Sequence, residues 1–536
     1  MRRARVDTCA PKTQSLSSAA RHEFSAPPVP PSVPKPSSPA VPFLATPDPR
    51  QLLLPLVAAG SGTTNARSIA RSDRVFVNRD LRFSNIDWIG FDMDYTLAIY
   101  RQERMDTLSV ELTVERMIRR GYPAYLKNLA YDIRFPIRGL LVDKRYGHVL
   151  KMDRYKVVQR GYHGMKRLPQ EEITALYHDK RIRPHTPRYH WIDTLFALSE
   201  VTSYSAIIEA MEKKGEKLDY DKLFADVRAS IDEAHADGAV YANVTSDMAA
   251  YIEREPALAR TLHKLRSGGK RLFLLTNSPF GYTDQVMTHL LADVMPEYPS
   301  WRHYFEFVIC SAGKPRFFQD GRPLMERDGE MLRPVREKLE RGKVYEGGNL
   351  EEFERLVGMR SSSVLYVGDH IYGDILRSKK ESSWHTAMVI QELDAEIAAY
   401  EACADDLGRQ RSLEEARNKL EDELRFFQAH IKELTRPTPG QAGEEESERT
   451  RTKRALERVR AELRAITGEY GMLAERISQR FHPYWGPLLK EQNEMSSFGL
   501  QVDLYADIYT RRVSCLRAYS PQQYFHSPYD LMPHEL

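Results

Sequence analysis

The sequence predicts an α/β protein with a mainly parallel sheet, a large insertion behind its first strand-end motif, and a helical hairpin arm. Three observations carry this. Four short apolar runs, Ile86–Phe91, Arg271–Leu275, Phe305–Ile309 and Val364–Val367, read as buried strands, each followed at once by acidic, hydroxyl or basic residues. Ligands of open α/β sheets bind at such carboxyl ends. Residues 101–255 separate the first run from the second, while little separates the second from the third. From about 399 to 482 the pattern changes to long charged segments with apolar residues at helical spacing.

In chain order, residues 1–72 are rich in Pro, Ser and Ala, as in Pro27-Pro28-Val29-Pro30-Pro31. Such a stretch buries too little apolar surface to fold, so a disordered tail with polyproline II character is expected, or a start codon assigned too early. The core is expected at 73–100 and 256–398. Asp92 and Asp94 follow the first strand. Two acids so close repel unless a cation or a shared proton separates them, which suggests a metal with one carboxylate as nucleophile and one as acid/base. The alternative is an Asx-type turn closing a strand.

The other strand ends supply what phosphoryl transfer needs. Thr276, Asn277 and Ser278 bring a hydroxyl and small polar groups to a turn before a helix, suited to phosphate oxygens, and Lys314 brings a cation. Asp369 and Asp374 lie in a glycine-containing turn, and Asp369 is the natural second carboxylate for Mg²⁺. Singly, Thr276 reads as a helix N-cap, Lys314 as a surface lysine and Asp369 as a turn residue.

The insertion, 101–255, is expected to be a cap that covers the substrate. Met211 to Leu223 and Phe224 to His235 read as helical, with Arg228, Asp232 and His235 on one face. The core resumes with an amphipathic helix from Leu258, ended by Ser267-Gly268-Gly269. After the last acidic motif, Arg377–Lys380 and Ala387–Ile390 continue the alternation of helix and strand. Leu413–Leu434 and Thr452–Ile477 form an antiparallel hairpin within 399–482, broken at Pro437-Thr438-Pro439-Gly440 and Glu444-Glu445-Glu446. It reads either as a solvated arm or as a subunit contact. The segment 483–536, aromatic from Tyr505 to Tyr529, is expected to return to the core.

The motif order Asp-x-Asp, Thr, Lys, acidic pair resembles the haloacid dehalogenase superfamily. Arg74–Arg79, Gly90–Ala98, Glu111–Arg116, Gly368–Leu376 and the ending Leu531–Glu535 resemble its cytosolic purine 5′-nucleotidases, from about residue 73 onward. The resemblance implies a haloacid dehalogenase-like fold and Mg²⁺-dependent hydrolysis of purine nucleoside monophosphates, IMP and GMP preferred, through an aspartyl-phosphate. Phosphotransfer to a nucleoside hydroxyl is a second activity. Asp92 would be the nucleophile and Asp94 the acid/base. Thr276, Asn277 and Lys314 would bind phosphate, Asp92, Asp94 and Asp369 the metal, and Asp374 would orient Lys314 or a metal-bound water. Phe196, Arg228, Asp232 and His235 match positions that hold base and sugar, whereas Ala236 and Tyr241 depart from the family's Tyr and Lys. At effector positions Arg183, Lys380 and Gln501 are kept and Tyr372 supplies an aromatic ring. Asp193 and Leu504 replace Asn and Arg, which predicts weak ATP activation. A phosphatase of another small phosphate ester, or a scaffold of the same fold, is the competing reading.

Composition narrows the class. The net charge is +3 from 78 basic and 75 acidic residues, which argues against a nucleic-acid binder. Four scattered cysteines suit a reducing compartment. The run Leu52–Ala59 is too short to span a bilayer. The expectation is a cytoplasmic protein without membrane or nucleic-acid partners, assembled as a homo-oligomer.

Overall fold

In the computed structural model of this chain, residues 69–178, 182–319, 321–435, 442–528 and 532 are described. The tail expected over 1–72 falls almost wholly outside them, as do Pro437–Gly440 and most of the ending Leu531–Glu535. Ten strands form the main sheet: β1 (Phe76–Val77), β2 (Trp88–Phe91), β3 (Arg271–Leu275), β4 (Phe307–Cys310), β5 (Leu324–Asp328), β6 (Met331–Pro334), β7 (Val344–Gly347), β8 (Val364–Gly368), β9 (His385–Val389) and β10 (Ile508–Thr510). Their spatial order is β1-β10-β9-β8-β2-β3-β4-β7-β5-β6. Strands β10 through β7 in that order run parallel, and β1, β5 and β6 pair antiparallel at the margins.

Strand β2 lies inside the sheet with all four residues buried, as its unbroken apolar run requires. Its side chains alternate between two cores: Ile89 and Phe91 on one face, Trp88 on the other. Gly90 has no room for a side chain, since a Cβ there would stand 2.2 Å from the Phe273 ring and 2.8 Å from that of Tyr366. Register then brings the motifs together. Phe91 is level with Val367 and Leu274, and Leu275 with Ile309, so Asp92, Thr276 and Asp369 emerge at one edge.

The insertion leaves after Tyr100 and returns at Ile252, and these two residues form an antiparallel bridge. It carries a five-stranded sheet that includes Leu140–Asp143, His148–Met152, Val158–His163 and Tyr189–Ile192, and the helices Gln102–Arg119, Leu198–Lys213 and Tyr220–Ala236. The helix expected over Met211–Leu223 is not continuous. It ends at Lys213, Gly215 takes φ +78°, and Asp219 caps the next helix by accepting from the Lys222 N–H at 3.1 Å. A lysine pair followed by glycine is a helix end that the apolar spacing concealed.

Two helices, Ala404–Glu433 and Ala442–Phe481, make the arm. Arg476–Asp406, Arg409–Glu469 and His430–Glu448 contacts run antiparallel along it. Glu446, expected in the break, lies inside the second helix. The segment after the arm reaches the core through β10 and also fastens the insertion. Lys151 and Arg160 both pair with buried Glu491, at 2.8 and 3.0 Å, and Ser497 donates to the Asp153 carbonyl at 2.6 Å.

Among the described residues no helix is long and apolar enough to cross a membrane, and Cys310, Cys403 and Cys515 are buried free thiols.

Candidate active site

Asp92 begins the loop after β2, its N–H donating to the Val367 carbonyl at 2.9 Å. Leu97 and Ala98 N–H groups both return to the Met93 carbonyl at 2.9 Å, so the loop folds tightly. Tyr95 sits at its tip with φ +56°, an uncommon conformation for a bulky residue and one that clusters at functional sites. Its carbonyl accepts from Gln391 at 3.0 Å.

Lys314 is the hub. Its ammonium lies 3.0 Å from Asp92 Oδ1 and 2.7 Å from Asp374 Oδ1, and donates to the Tyr366 hydroxyl at 2.8 Å. Only 8 % of Lys314 is exposed, yet the two carboxylates outweigh burial and hold it charged, well above the ordinary lysine range. Burial pushes Asp92 upward, and Asp374, Asp94 and Asp369 add to that against Lys314. Asp374 is fixed twice, accepting from the His370 N–H at 3.3 Å with its other oxygen.

Asn277 acts differently from the expectation that it touches phosphate. Its amide donates to the Lys314 carbonyl at 3.0 Å while its oxygen accepts the Lys314 N–H at 2.6 Å. The side chain is thereby committed to clamping the lysine loop. Thr276 is fully buried, its N–H on the Ile309 carbonyl and its hydroxyl accepting the Ser278 N–H at 3.1 Å.

Asp92, Asp369 and Asp374 bring three carboxylate oxygens within 4.8 Å of one another. Asp369 Oδ2 is buried with no hydrogen-bond partner, and burial pushes its carboxyl up to about 7. An acceptor without a hydrogen bond, among neighbouring acids and with the Arg138 guanidinium no nearer than 3.9 Å, fits a hard divalent cation such as Mg²⁺. The Asp94 side chain points elsewhere: Oδ2 accepts from Ser278 and Oδ1 from Tyr100, each at 2.6 Å. Sequence reasoning missed Tyr100, Tyr366 and Arg138, which carry no motif. Arg138, fully buried, donates to the Asp369 carbonyl at 2.8 Å and grips Glu392 at 2.8 and 2.6 Å.

Above this floor the insertion presents rings. Phe196 packs edge-on against Tyr95 with centroids 4.6 Å apart, His235 lies 6.0 Å from Phe196, and Tyr241 lies 4.5 Å from Tyr282. Arg228 does not join them. It contacts His190 Nε2 at 2.8 Å and Glu200 at 3.6 Å, on the wall of a separate cavity of about 1080 Å³. Asp232 is exposed. That cavity also gathers Asp193, Tyr372, Lys380, Gln501 and Leu504, while Arg183 is exposed and outside its lining. Asp193 is paired with His370 at 3.3 Å; burial opposes the charged ring, but Asp193 prevails and raises it to about 9. Lys144, Arg154, Lys156, Arg377 and Lys380 line the same walls. The acid at 193 is thus offset locally by the charge it raises on His370.

On the first helix of the insertion, Asp106 is 4 % exposed and receives only the Gln102 amide, 2.9 Å from both oxygens. Burial pushes its carboxyl up to about 7.

Comparison with known proteins identifies the family. The model of the 5′ nucleotidase family matches residues 75–536. A 5′-nucleotidase domain-containing protein of Dictyostelium discoideum is 28% identical over 484 residues, 86% of this chain and 74% of its own length. The 5′-nucleotidase domain-containing protein 2 of Rattus norvegicus is 28% identical over 489 residues, 87% of this chain and 81% of its own. A crystal structure of a predicted phosphoglycolate phosphatase from Haemophilus somnus 129pt aligns over 57% of this chain and 85% of its own, with 13% identity and a TM-score of 0.26. With its strand-end motifs gathered at one edge of a parallel sheet and the family match running from β1 to the last residue, the chain belongs to the 5′ nucleotidase family, hydrolases of nucleotide monoesters.

Proposed function

We propose that this hydrolase cleaves purine nucleoside 5′-monophosphates, IMP and GMP in preference to others, through an aspartyl-phosphate on Asp92. The observation that carries the reading is the Asp92–Lys314–Asp374 array beside an Asp369 oxygen that has no hydrogen bond, with Asp94 on a separate pair of hydroxyls. Asp92 attacks phosphorus in line, and the electron pair of the breaking P–O5′ bond passes to O5′, which takes the Asp94 proton. Water then gives a proton back to Asp94 while its oxygen attacks phosphorus and frees Asp92. Lys314 and the Thr276 hydroxyl hold the phosphoryl oxygens, and Asp374 and Asn277 keep Lys314 in place. The Asp92 and Asp369 side chains and the Asp94 carbonyl would hold Mg²⁺, which when bound offsets charge between nucleophile and phosphate.

The purine preference is supported by Phe196 and His235, whose rings offer a face for a base above Tyr95. On the same reading the basic cavity around Tyr372, Lys380 and Gln501 is the seat of an anionic effector. The test is phosphate release from IMP, GMP, AMP, UMP and sugar phosphates, with Mg²⁺ or with a chelator. IMP and GMP should exceed the rest by about tenfold in kcat/KM, the discrimination one set of base contacts provides. Equal rates across the panel would refute the purine reading, and unaltered rates in chelator the metal reading.

A further inference from the structure

Each oxygen of the Asp94 carboxyl takes one hydroxyl, Oδ2 from Ser278 and Oδ1 from Tyr100, both at 2.6 Å. Tyr100 has a single proton to give. While Asp94 is a carboxylate, Tyr100 donates its hydrogen bond to it, and the 2.8 Å contact between the Tyr100 and Tyr282 hydroxyls then has Tyr282 as donor. A relay of donors therefore runs from Tyr282 through Tyr100 to Asp94. A carboxyl gripped at one oxygen still swings about its Cβ–Cγ bond; gripped at both, it is fixed in plane.

The two grips come from different parts of the chain. Ser278 belongs to the core motif after β3. Tyr100 is the last residue before the insertion, and its backbone pairs with Ile252, where the insertion returns. The Arg101 N–H donates to the Tyr251 carbonyl at 2.7 Å and the Glu253 N–H to the Ile99 carbonyl at 2.9 Å, so the two connections are zipped together. Residues of the insertion also cover the relay: Phe196 lies 6.2 Å from the Tyr100 ring and Tyr241 packs on Tyr282. The ring of Tyr100 is 3 % exposed.

We propose that Tyr100 is a positioning residue that fixes the Asp94 carboxyl for proton transfer to the leaving oxygen, and that the paired connections of the insertion hold it in place. This rests on the reading of Asp94 as acid/base. In the first step the P–O5′ bond breaks, its electron pair goes to O5′, and Asp94 supplies the proton; Tyr100 keeps its own proton throughout. Its part is to keep Asp94 from rotating out of line, an effect expressed in kcat and not in substrate affinity.

The experiment is a double-mutant cycle in the full chain, with single-turnover nucleoside release from IMP as the readout. Tyr100→Phe should lower the rate by about tenfold with KM unchanged, as loss of one orienting hydrogen bond does. Asp94→Asn should lower it much further, and adding Tyr100→Phe to Asp94→Asn should change the residual rate less than twofold, because a residue that acts through Asp94 has nothing left to position. Tyr282→Phe, which removes only the donor behind Tyr100, should show a smaller loss in the same direction. A tenfold loss that persists in the Asp94→Asn background, a change in KM alone, or wild-type turnover of Tyr100→Phe overturns the proposal. If Asp94→Asn itself turns over at the wild-type rate, the acid/base reading is what fails, so the two failures are told apart.

Discussion

On the sheet, Asp92, Lys314 and Asp374 meet within 3.0 Å although they leave three different strand ends; on the insertion, Arg228, Asp232 and His235 share one helix and part company. The difference lies in what fixes each side chain. A strand end is placed by backbone hydrogen bonds of a parallel register, so a motif residue just beyond it has few places to go. A helix face fixes only direction. Arg228 is drawn to Glu200 and His190, His235 lies among rings, and Asp232 stays in solvent. The residues proposed for catalysis are thus held by geometry that spacing specifies, and those proposed for substrate by contacts that spacing leaves open.

The sharpest way to break this comparison is at the floor. Asp92→Asn removes the attacking oxygen's charge while keeping its shape, and turnover should fall by roughly 10⁴-fold with loss of any phosphoenzyme. Rapid-quench labelling with phosphate-labelled IMP checks it; near-wild-type hydrolysis by the folded variant would end the assignment.

A smaller effect separates the members of the helix face. His235→Ala should raise KM for IMP by about tenfold, since a ring packed near Phe196 is lost, while Asp232→Ala should change it less than about threefold. Steady-state kinetics on both variants decide it. A larger effect at Asp232 would mean that this exposed acid reaches substrate after all and that the helix face acts as a unit.

The smallest expected effect concerns stability. Asp106 holds its proton to about pH 7 in the folded state, whereas the unfolded chain releases it near pH 4. Folding stability contributed by this site is therefore complete below pH 4, declines as pH rises from 4 to 7, and is flat above. Asp106→Asn abolishes that slope, and its amide can donate to Gln102 Oε1, which is buried without a partner. The variant should be more stable than wild type by about 2 kcal/mol at pH 7.5 and no more stable at pH 4.5. Urea melts at the two pH values measure this, and equal differences at both would show that Asp106 is not protonated in the fold.

Much of the floor was legible because each motif follows an apolar run: β3 matches its expected bounds, and β2, β4 and β8 start or end within a few residues of theirs. The role of Asn277 was not legible, since its type suits phosphate as well as it suits the Lys314 backbone it clamps. Nor was Tyr100, a residue like any other in an apolar stretch until Asp94 and Ile252 are brought to it. The antiparallel sheet of the insertion escaped notice because strands such as His148–Met152 are buried on both faces and show no alternation. Tertiary partners decide in each of these cases.

One feature of the sheet bears on how the molecule is made. Strand β10, residues 508–510, lies between β9 and β1, so the partner of β9 is synthesised only after the whole arm that separates them in sequence. Until then the outer edge of β9 has open backbone donors and acceptors, and β1, synthesised hundreds of residues earlier, has nothing to pair with. An unpaired parallel strand is a template for the wrong neighbour. During translation both the arm and the insertion are complete before the sheet is closed, and a nascent chain truncated ahead of Ile508 retains Asp92, Asp94, Thr276, Lys314 and Asp369 while leaving that edge exposed.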